Sequence, residues 1–370
     1  MFSYYNRHSY CFIKPVLRRY NLTVIYTVGC DHNFAFCILH FAFRTHLTIK
    51  GDLTTMDMFK TIYDLGIIPV VAIDDADKAV PLAKALRDGG LPAAEITFRT
   101  AAAEEAIRRI SAECPDVLVG AGTVLTKEQC DRAIAAGAKF VVTPGFNPEM
   151  IAYIKSTGIP MMPGAATPGE MEQAMSMGLT NIKFFPAEAN GGVAKLKALA
   201  GPYQAAKWMP TGGVNTKNLN DYLSFDRILC CGGTWIATSA DINEGKWDDI
   251  TKKCKDAIKT MLGFKLEKIC IYGDSANAEK NAKFVAGLFG FDVAECECGF
   301  EAGSLCFGKE ESDAKGCIVI STLNGNRAKA YLERIGAEID PDIWYDKKGN
   351  VTCFGLKDMV AGFEICIETK

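Results

Sequence analysis

The sequence predicts an α/β chain: a (β/α)8 TIM barrel followed by a smaller C-terminal α+β domain of two βαββ(β) modules. Three observations predict it. From Gly66 to about Leu262, eight short β-rich runs each lead into an amphipathic helical stretch, at spacings of roughly 20–26 residues. No G-x-G-x-x-G follows the first run, which disfavours a doubly wound open sheet. Beyond Gly263 the pattern changes to strand, helix, strand, strand, and it occurs twice.

Residues 1–55 stand apart. They hold 11 of the 37 aromatics and all four His (His8, His32, His40, His46). Six Lys/Arg against two Asp/Glu give them +4, while the remainder carries −7. No helical or strand period persists, and no compact apolar stretch precedes a small-residue cleavage site. They are expected to be an atypical N-terminal extension, disordered or translated from an upstream start. The barrel is placed at 56–263. It begins with "MDMFKTIYDLG", a short amphipathic helix with Met58, Phe59, Ile62 and Leu65 on one side. Its strands are expected at 67–73, 94–98, 117–120, 140–143, 160–162, 181–184, 207–209 and 227–230. Between them lie helices such as "DKAVPLAKALRDGG" and "AAAEEAIRRISAEC", several stopping at Gly. The second domain, 264–370, opens with strand "LEKICIYG" and helix "SANAEKNAKFVAGLFG". A second round starts at "AKGCIVISTL", with later strands near 337–339, 351–356 and 363–368.

Composition narrows the function. The 370 residues carry a net charge of −3, with 49% apolar and 23% charged side chains. That is ordinary globular composition and not the basic face of a nucleic-acid binder. No run reaches ~18 uncharged apolar residues, so no membrane partner is expected. Fifteen Cys without framework spacing read as reduced thiols in a cytoplasm. No His occurs after His46, which removes His-based triads and most His metal sites from the body of the chain.

Lys and carboxylates must then carry the chemistry. In "AAEITFRT", Glu95, Thr97 and Arg99 alternate with Ile96 and Phe98, so a carboxylate, a hydroxyl and a guanidinium face one way. In "NIKFFPAEAN", Lys183 shares a face with Asn181 and Phe185. Strands two and six are both even-numbered, so their inward side chains share barrel layers and Lys183 can meet Glu95. Desolvation among Phe184, Phe185 and barrel aliphatics disfavours the ammonium, leaving an amine able to form an imine with a ketone. Glu95 suits the proton transfers of a retro-aldol cleavage. Arg99, with the amides of "GAGTVL" and the Thr123 hydroxyl, suits a substrate carboxylate. "PTGGVN" with Gly212 and Gly213, and "CGGTW" with Gly232, Gly233 and Thr234, follow strands seven and eight, where barrels commonly bind phosphate. The bland alternative is a buried Lys–Glu ion pair among ordinary turns.

"EITFRT", "GAGTVL", "TPGFNP", "PGAATPGE", "IKFFPAEANGG" and "PTGGVN…GGTW", in that order over about 58–262, resemble the class I 2-keto-3-deoxy-6-phosphogluconate (KDPG)/2-keto-4-hydroxyglutarate (KHG) aldolases. The resemblance implies Lys183 as the Schiff-base lysine and Glu95 as the proton-transfer carboxylate. It implies Arg99 and Thr123 at the pyruvyl carboxylate, Pro144 and Phe185 against the pyruvyl group, and a cytoplasmic homotrimer. Thr234 departs from the family's usual GGS, and its methyl crowds the phosphate. The implied reaction is lysis of KDPG to pyruvate and glyceraldehyde 3-phosphate, and of KHG to pyruvate and glyoxylate, on the Entner–Doudoroff route. A sibling aldolase for the galactonate epimer and a non-catalytic sensor barrel are the alternatives. No cofactor is expected. The partner is a small 2-keto acid sugar phosphate.

The C-terminal modules more loosely resemble the glyoxalase-like (vicinal-oxygen-chelate) fold, ending in "GFEICIET". Glu368 could match a ligand of that fold, but no His joins it, so no metal is expected. Cys296 and Cys298 form a C-x-C, which alone is an incomplete zinc site, although the distant Cys306, Cys317, Cys353 and Cys366 could complete it.

Overall fold

The computed structural model describes residues 55–296, 298–309 and 312–370, with the backbone alone for 55–57. The expectations placed on residues 1–54 lie outside the described residues. The chain divides into two compact units. One runs through Phe264 and includes Asn326–Gly336; the other comprises Lys265–Gly325 and Ala337–Lys370.

The first unit is built on parallel strands. β1 (Ile67–Val71), β2 (Ala93–Thr97), β3 (Leu118–Gly122), β4 (Val141–Val142), β5 (Met161–Met162) and β8 (Cys231–Gly233) form one sheet in the order β5-β4-β3-β2-β1-β8. β6 (Asn181–Phe184) and β7 (Lys207–Pro210) form a second, two-stranded sheet. Bridges at Gly164–Lys183 and Thr211–Gly232 join the two sheets at both edges. β1, β2 and β3 are buried at every position, the mark of strands covered on both faces. The helices that follow are amphipathic. α2 (Ala79–Asp88) buries Ala79, Leu82, Ala83, Ala85 and Leu86, and α3 (Ala103–Glu113) buries Ala103, Ala106, Ile107 and Ile110. α4 (Lys127–Ala135) and α6 (Pro168–Ser176) start on capping boxes, Thr126 with Gln129 and Thr167 with Glu170.

The expected first helix is α1 (Thr55–Leu65). Met58, Ile62 and Leu65 pack with Ile68, Val70, Leu118, Phe140, Met209 and Leu229 in one core. The expected eighth strand, 227–230, is displaced. Ile228 makes only an isolated bridge to Trp208, and the regular pairing with β1 falls on Cys231–Gly233. The apolar "ILCC" run spans both stretches, so hydrophobicity alone could not choose between them. Within this unit Arg327 is 1% exposed. Its guanidinium donates to the carbonyls of Tyr63 at 3.0 Å and of Ile228 and Leu229 at 3.3 Å each.

The second unit is one eight-stranded sheet with one α-helix of its own. Its elements are β9 (Lys265–Ile271), α11 (Ala278–Phe289), β10 (Val293–Cys296), β11 (Gly299–Ala302), β12 (Leu305–Gly308), β13 (Gly316–Thr322), β14 (Ile339–Tyr345), β15 (Val351–Leu356) and β16 (Phe363–Thr369). α12 (Gly325–Arg334) follows β13 in the chain but belongs, from Asn326 on, to the first unit, as do α5 (Pro148–Ser156), α7 (Gly192–Ala200), α8 (Leu219–Leu223), α9 (Ser239–Asn243) and α10 (Trp247–Leu262). The strand order β10-β11-β12-β9-β13-β16-β15-β14 is the same four-strand arrangement laid out twice about the antiparallel β9–β13 pair. In each half the first strand pairs in parallel with the last. The strand expected near 337–339 is instead β14, which runs through Pro341. β14 is an edge strand with irregular register between Ile339 and Ile343, where a missing N–H donor is tolerated.

Candidate active site

Two side chains meet inside the first unit. Glu95 lies mid-strand on β2, flanked in register by Val70 of β1 and Gly120 of β3. Lys183 lies on β6, its backbone N–H donating to Pro163 O and its carbonyl accepting from Ala165 N–H, both at 2.9 Å. Backbone pairing on each side therefore fixes both Cα positions. Lys183 Nζ donates to Glu95 Oε1 at 2.9 Å, and the residues are 4% and 0% exposed. Glu95 Oε2 is buried and has no hydrogen-bond partner. A pair kept for stability alone is expected to satisfy both oxygens, because an unpaired buried acceptor costs about 1–3 kcal/mol. Oε2 therefore keeps an open acceptor position.

Gly122 makes the carboxylate's room. A Cβ there would stand 2.1 Å from Glu95 Oε1 and 2.7 Å from its Cδ and Cγ. Sequence reading took "GAGTVL" as amide donors and missed this close approach. Phe185 places its ring centroid 5.7 Å from Lys183 Nζ. Phe184 faces the other way, with Lys195 Nζ 5.7 Å from its ring, so it does not desolvate Lys183 as expected. Cys230 is a further buried neighbour, and burial pushes its thiol well above the usual range, which disfavours the thiolate.

At the rim, Arg99 is exposed beyond the end of β2, and its Nε donates to Thr123 Oγ1 at 3.4 Å. Thr123 holds φ 56°, a left-handed conformation costly for a β-branched residue. Thr97, placed by sequence on the Glu95 face, spends its hydroxyl on Val71 O at 2.9 Å. Pro144 is half-buried in a loop whose Thr143 hydroxyl donates to Gly145 O and accepts from Gly164 N–H. A cavity of about 280 Å³ opens beside it, lined by Val124, Thr143, Pro144 and Phe146 among others.

The two Gly-Gly pairs differ. Gly212 and Gly213 take φ 93° and 85°, and a Cβ on Gly212 would lie 3.3 Å from the Phe185 ring. Gly232 and Gly233 are buried within β8, where a Cβ on Gly232 would meet Thr211 Oγ1 at 2.1 Å. Thr234 is exposed at the strand's end. Thr211, which sequence reading passed over, is 2% exposed with a hydroxyl that has no hydrogen-bond partner.

Comparison with known proteins finds the same half of the chain. The sequence model described as KDPG and KHG aldolase matches residues 59–253. The 2-dehydro-3-deoxy-phosphogluconate aldolase of Treponema pallidum is 47% identical over 204 residues, 55% of this chain and 97% of that protein. The KHG/KDPG aldolase of Escherichia coli K12 is 42% identical over 193 residues, 52% of this chain and 91% of that protein. Among solved structures, the KDPG aldolase of Legionella pneumophila, with pyruvate captured as a covalent carbinolamine, superposes with TM-score 0.52 at 38% identity. It covers 54% of this chain and 97% of its own. The aldolase of Zymomonas mobilis with 3-phosphoglycerate gives 0.50 at 36%, covering 54% and 94%.

Proposed function

The chain belongs to the KDPG and KHG aldolase family, and from that premise we propose how its residues cleave 2-keto-3-deoxy-6-phosphogluconate to pyruvate and glyceraldehyde 3-phosphate, and 2-keto-4-hydroxyglutarate to pyruvate and glyoxylate. The observation that carries the reading is the buried Lys183–Glu95 contact with its spare carboxylate oxygen. Proton transfer across that 2.9 Å hydrogen bond frees the amine. The amine attacks the C2 ketone, and Glu95 returns the proton as the carbinolamine loses water. The protonated imine draws electrons from the C3–C4 bond. Glu95 takes the C4 hydroxyl proton, the bond breaks and the aldehyde leaves. The remaining enamine regains a proton at C3, and water hydrolyses the imine to release pyruvate and free Lys183.

Arg99 and Thr123 bind the pyruvyl carboxylate, and their mutual hydrogen bond supports this. Pro144 and Phe185 bracket the pyruvyl group. Gly212, Gly213, Gly232, Gly233 and Thr234 hold the phosphate. The strands join as one closed (β/α)8 barrel, a reading supported by the bridges at Gly164–Lys183 and Thr211–Gly232. The catalytic domain is 56–263, the enzyme is a cytoplasmic homotrimer of the Entner–Doudoroff route, and 264–370 is a glyoxalase-like appendage. Its doubled strand order supports that last likeness. Pyruvate release from KDPG and KHG tests the chemistry. Wild type is expected to turn over both, and Glu95→Gln to lose ~10²–10⁴-fold in kcat with KM little changed. An unchanged kcat makes the ion pair merely structural.

A further inference from the structure

A second cluster of reactive side chains lies in the other unit, unused by the aldol chemistry. Cys296 ends β10, Cys298 stands in the turn after it, Glu301 lies on β11 and Cys306 on β12. Strand register explains their convergence. Cys296 pairs with Gly299 across the β10–β11 hairpin, and Glu301 stands opposite Cys306 across β11–β12. Directly opposed residues share a face, as do residues two apart on one strand. Cys296, Glu301 and Cys306 therefore project to the same side, and the turn brings Cys298 over them. The sulfurs of Cys296 and Cys298 are 2.9 Å apart, those of Cys298 and Cys306 3.1 Å, and those of Cys296 and Cys306 3.7 Å. With a Glu301 oxygen, the four donor atoms all lie within 4.8 Å of one another.

Buried thiols also serve as small apolar fillers, and the neighbouring Cys270, Cys317 and Cys366 belong to the same core. Filling does not explain ionic groups at its centre. Lys268 Nζ sits 3.0 Å from Glu301 Oε1 and 3.9 Å from Cys298 Sγ. A carboxylate beside three thiols, with one ammonium to offset negative charge, is the donor set of a cation site.

We propose that Cys296, Cys298, Glu301 and Cys306 bind a Zn²⁺ ion. Sulfur donors select a borderline or soft cation over Mg²⁺ or Ca²⁺. A tetrahedral centre with Zn–S bonds of ~2.3 Å places its sulfurs ~3.8 Å apart. The Cys296–Cys306 separation already matches, and the other two need to open by less than ~1 Å. Each ligating thiol gives up its proton as its Zn–S bond forms, and no electron is transferred. Four protein ligands make a closed, structural site. Its position fits that role: β10 is one of the sheet's two edge strands and is largely exposed, and the ion ties it through β11 to β12.

The full chain, purified without chelator and dialysed, is expected to retain one zinc per chain by elemental analysis. Cys296→Ser/Cys306→Ser is expected to lose it, and Cys353→Ser, outside the cluster, to keep it. Should the double variant fail to fold, the wild type still decides. Reduced, metal-stripped chain given Co²⁺ is expected to show thiolate-to-cobalt charge transfer and the strong visible bands of a tetrahedral centre, both abolished by competing Zn²⁺. Zinc that stays after both substitutions, or reduced chain that binds neither metal, overturns the proposal. Pyruvate release from the same preparations reports the aldolase separately.

Discussion

Gly122→Ala tests the catalytic geometry without touching a catalytic group. The added methyl would sit 2.1 Å from Glu95 Oε1, where a carbon–oxygen contact needs at least about 3.0 Å. Gly122 is not among the residues with positive φ, so its backbone accepts alanine and the carboxylate must give way instead. The displacement is about 1 Å, set against a hydrogen bond of 2.9 Å to Lys183. Misplacement of a reacting group by 1 Å costs ~10²-fold, about 2.7 kcal/mol in activation free energy. The assay is steady-state pyruvate release beside urea denaturation. kcat is expected to fall ~10²-fold with the fold retained. Gly120→Ala supplies the contrast, since its methyl would meet the Phe140 ring at 2.4 Å. That overpacking is expected to cost ~1–3 kcal/mol of stability and to spare kcat in the folded fraction. Gly169→Ala, in a helix with nothing within 4 Å of the added methyl, is expected to leave kcat unchanged and to raise stability by about 0.4–1 kcal/mol. Gly122→Ala with kcat within about threefold of wild type refutes the reasoning, because such a carboxylate is not the proton carrier.

Lys183→Met leaves the Glu95 carboxylate buried without its cation, and urea denaturation is expected to show a loss of ~3–5 kcal/mol. Most of it should return in Lys183→Met/Glu95→Gln; no recovery argues against a charge-driven loss. Arg327→Met strips donors from the Tyr63, Ile228 and Leu229 carbonyls and is expected to lower stability by ~2–4 kcal/mol, read by the same denaturation. A chain starting at Met56 is expected to fold and turn over like the full one, and loss of folding on circular dichroism contradicts the boundary.

The Lys183–Glu95 contact was readable from sequence because strand periodicity places side chains. Glu95 and Lys183 each fall on a face set by alternation, and even-numbered strands share layers. Alternation misled at Thr97, whose hydroxyl turns to the neighbouring Val71 backbone. What sequence could not supply was space. That Gly122 exists to admit Glu95, and Gly232 to admit Thr211, depends on contacts between residues more than twenty positions apart. β14 was misplaced because Pro341 reads as a strand breaker until its strand is known to be an edge. The cysteine cluster lies between these cases. The C-x-C was visible and Cys306 stood among four distant cysteines able to complete it, but only the register of two hairpins singles Cys306 out.

The central claim is a covalent imine at Lys183. Wild-type chain incubated with pyruvate and reduced with borohydride, then digested and sequenced by mass spectrometry, tests it most directly. One reduced pyruvyl adduct per chain, on Lys183 and absent from Lys183→Met, is the predicted result. An adduct on another lysine, or full aldol turnover with none formed, contradicts it.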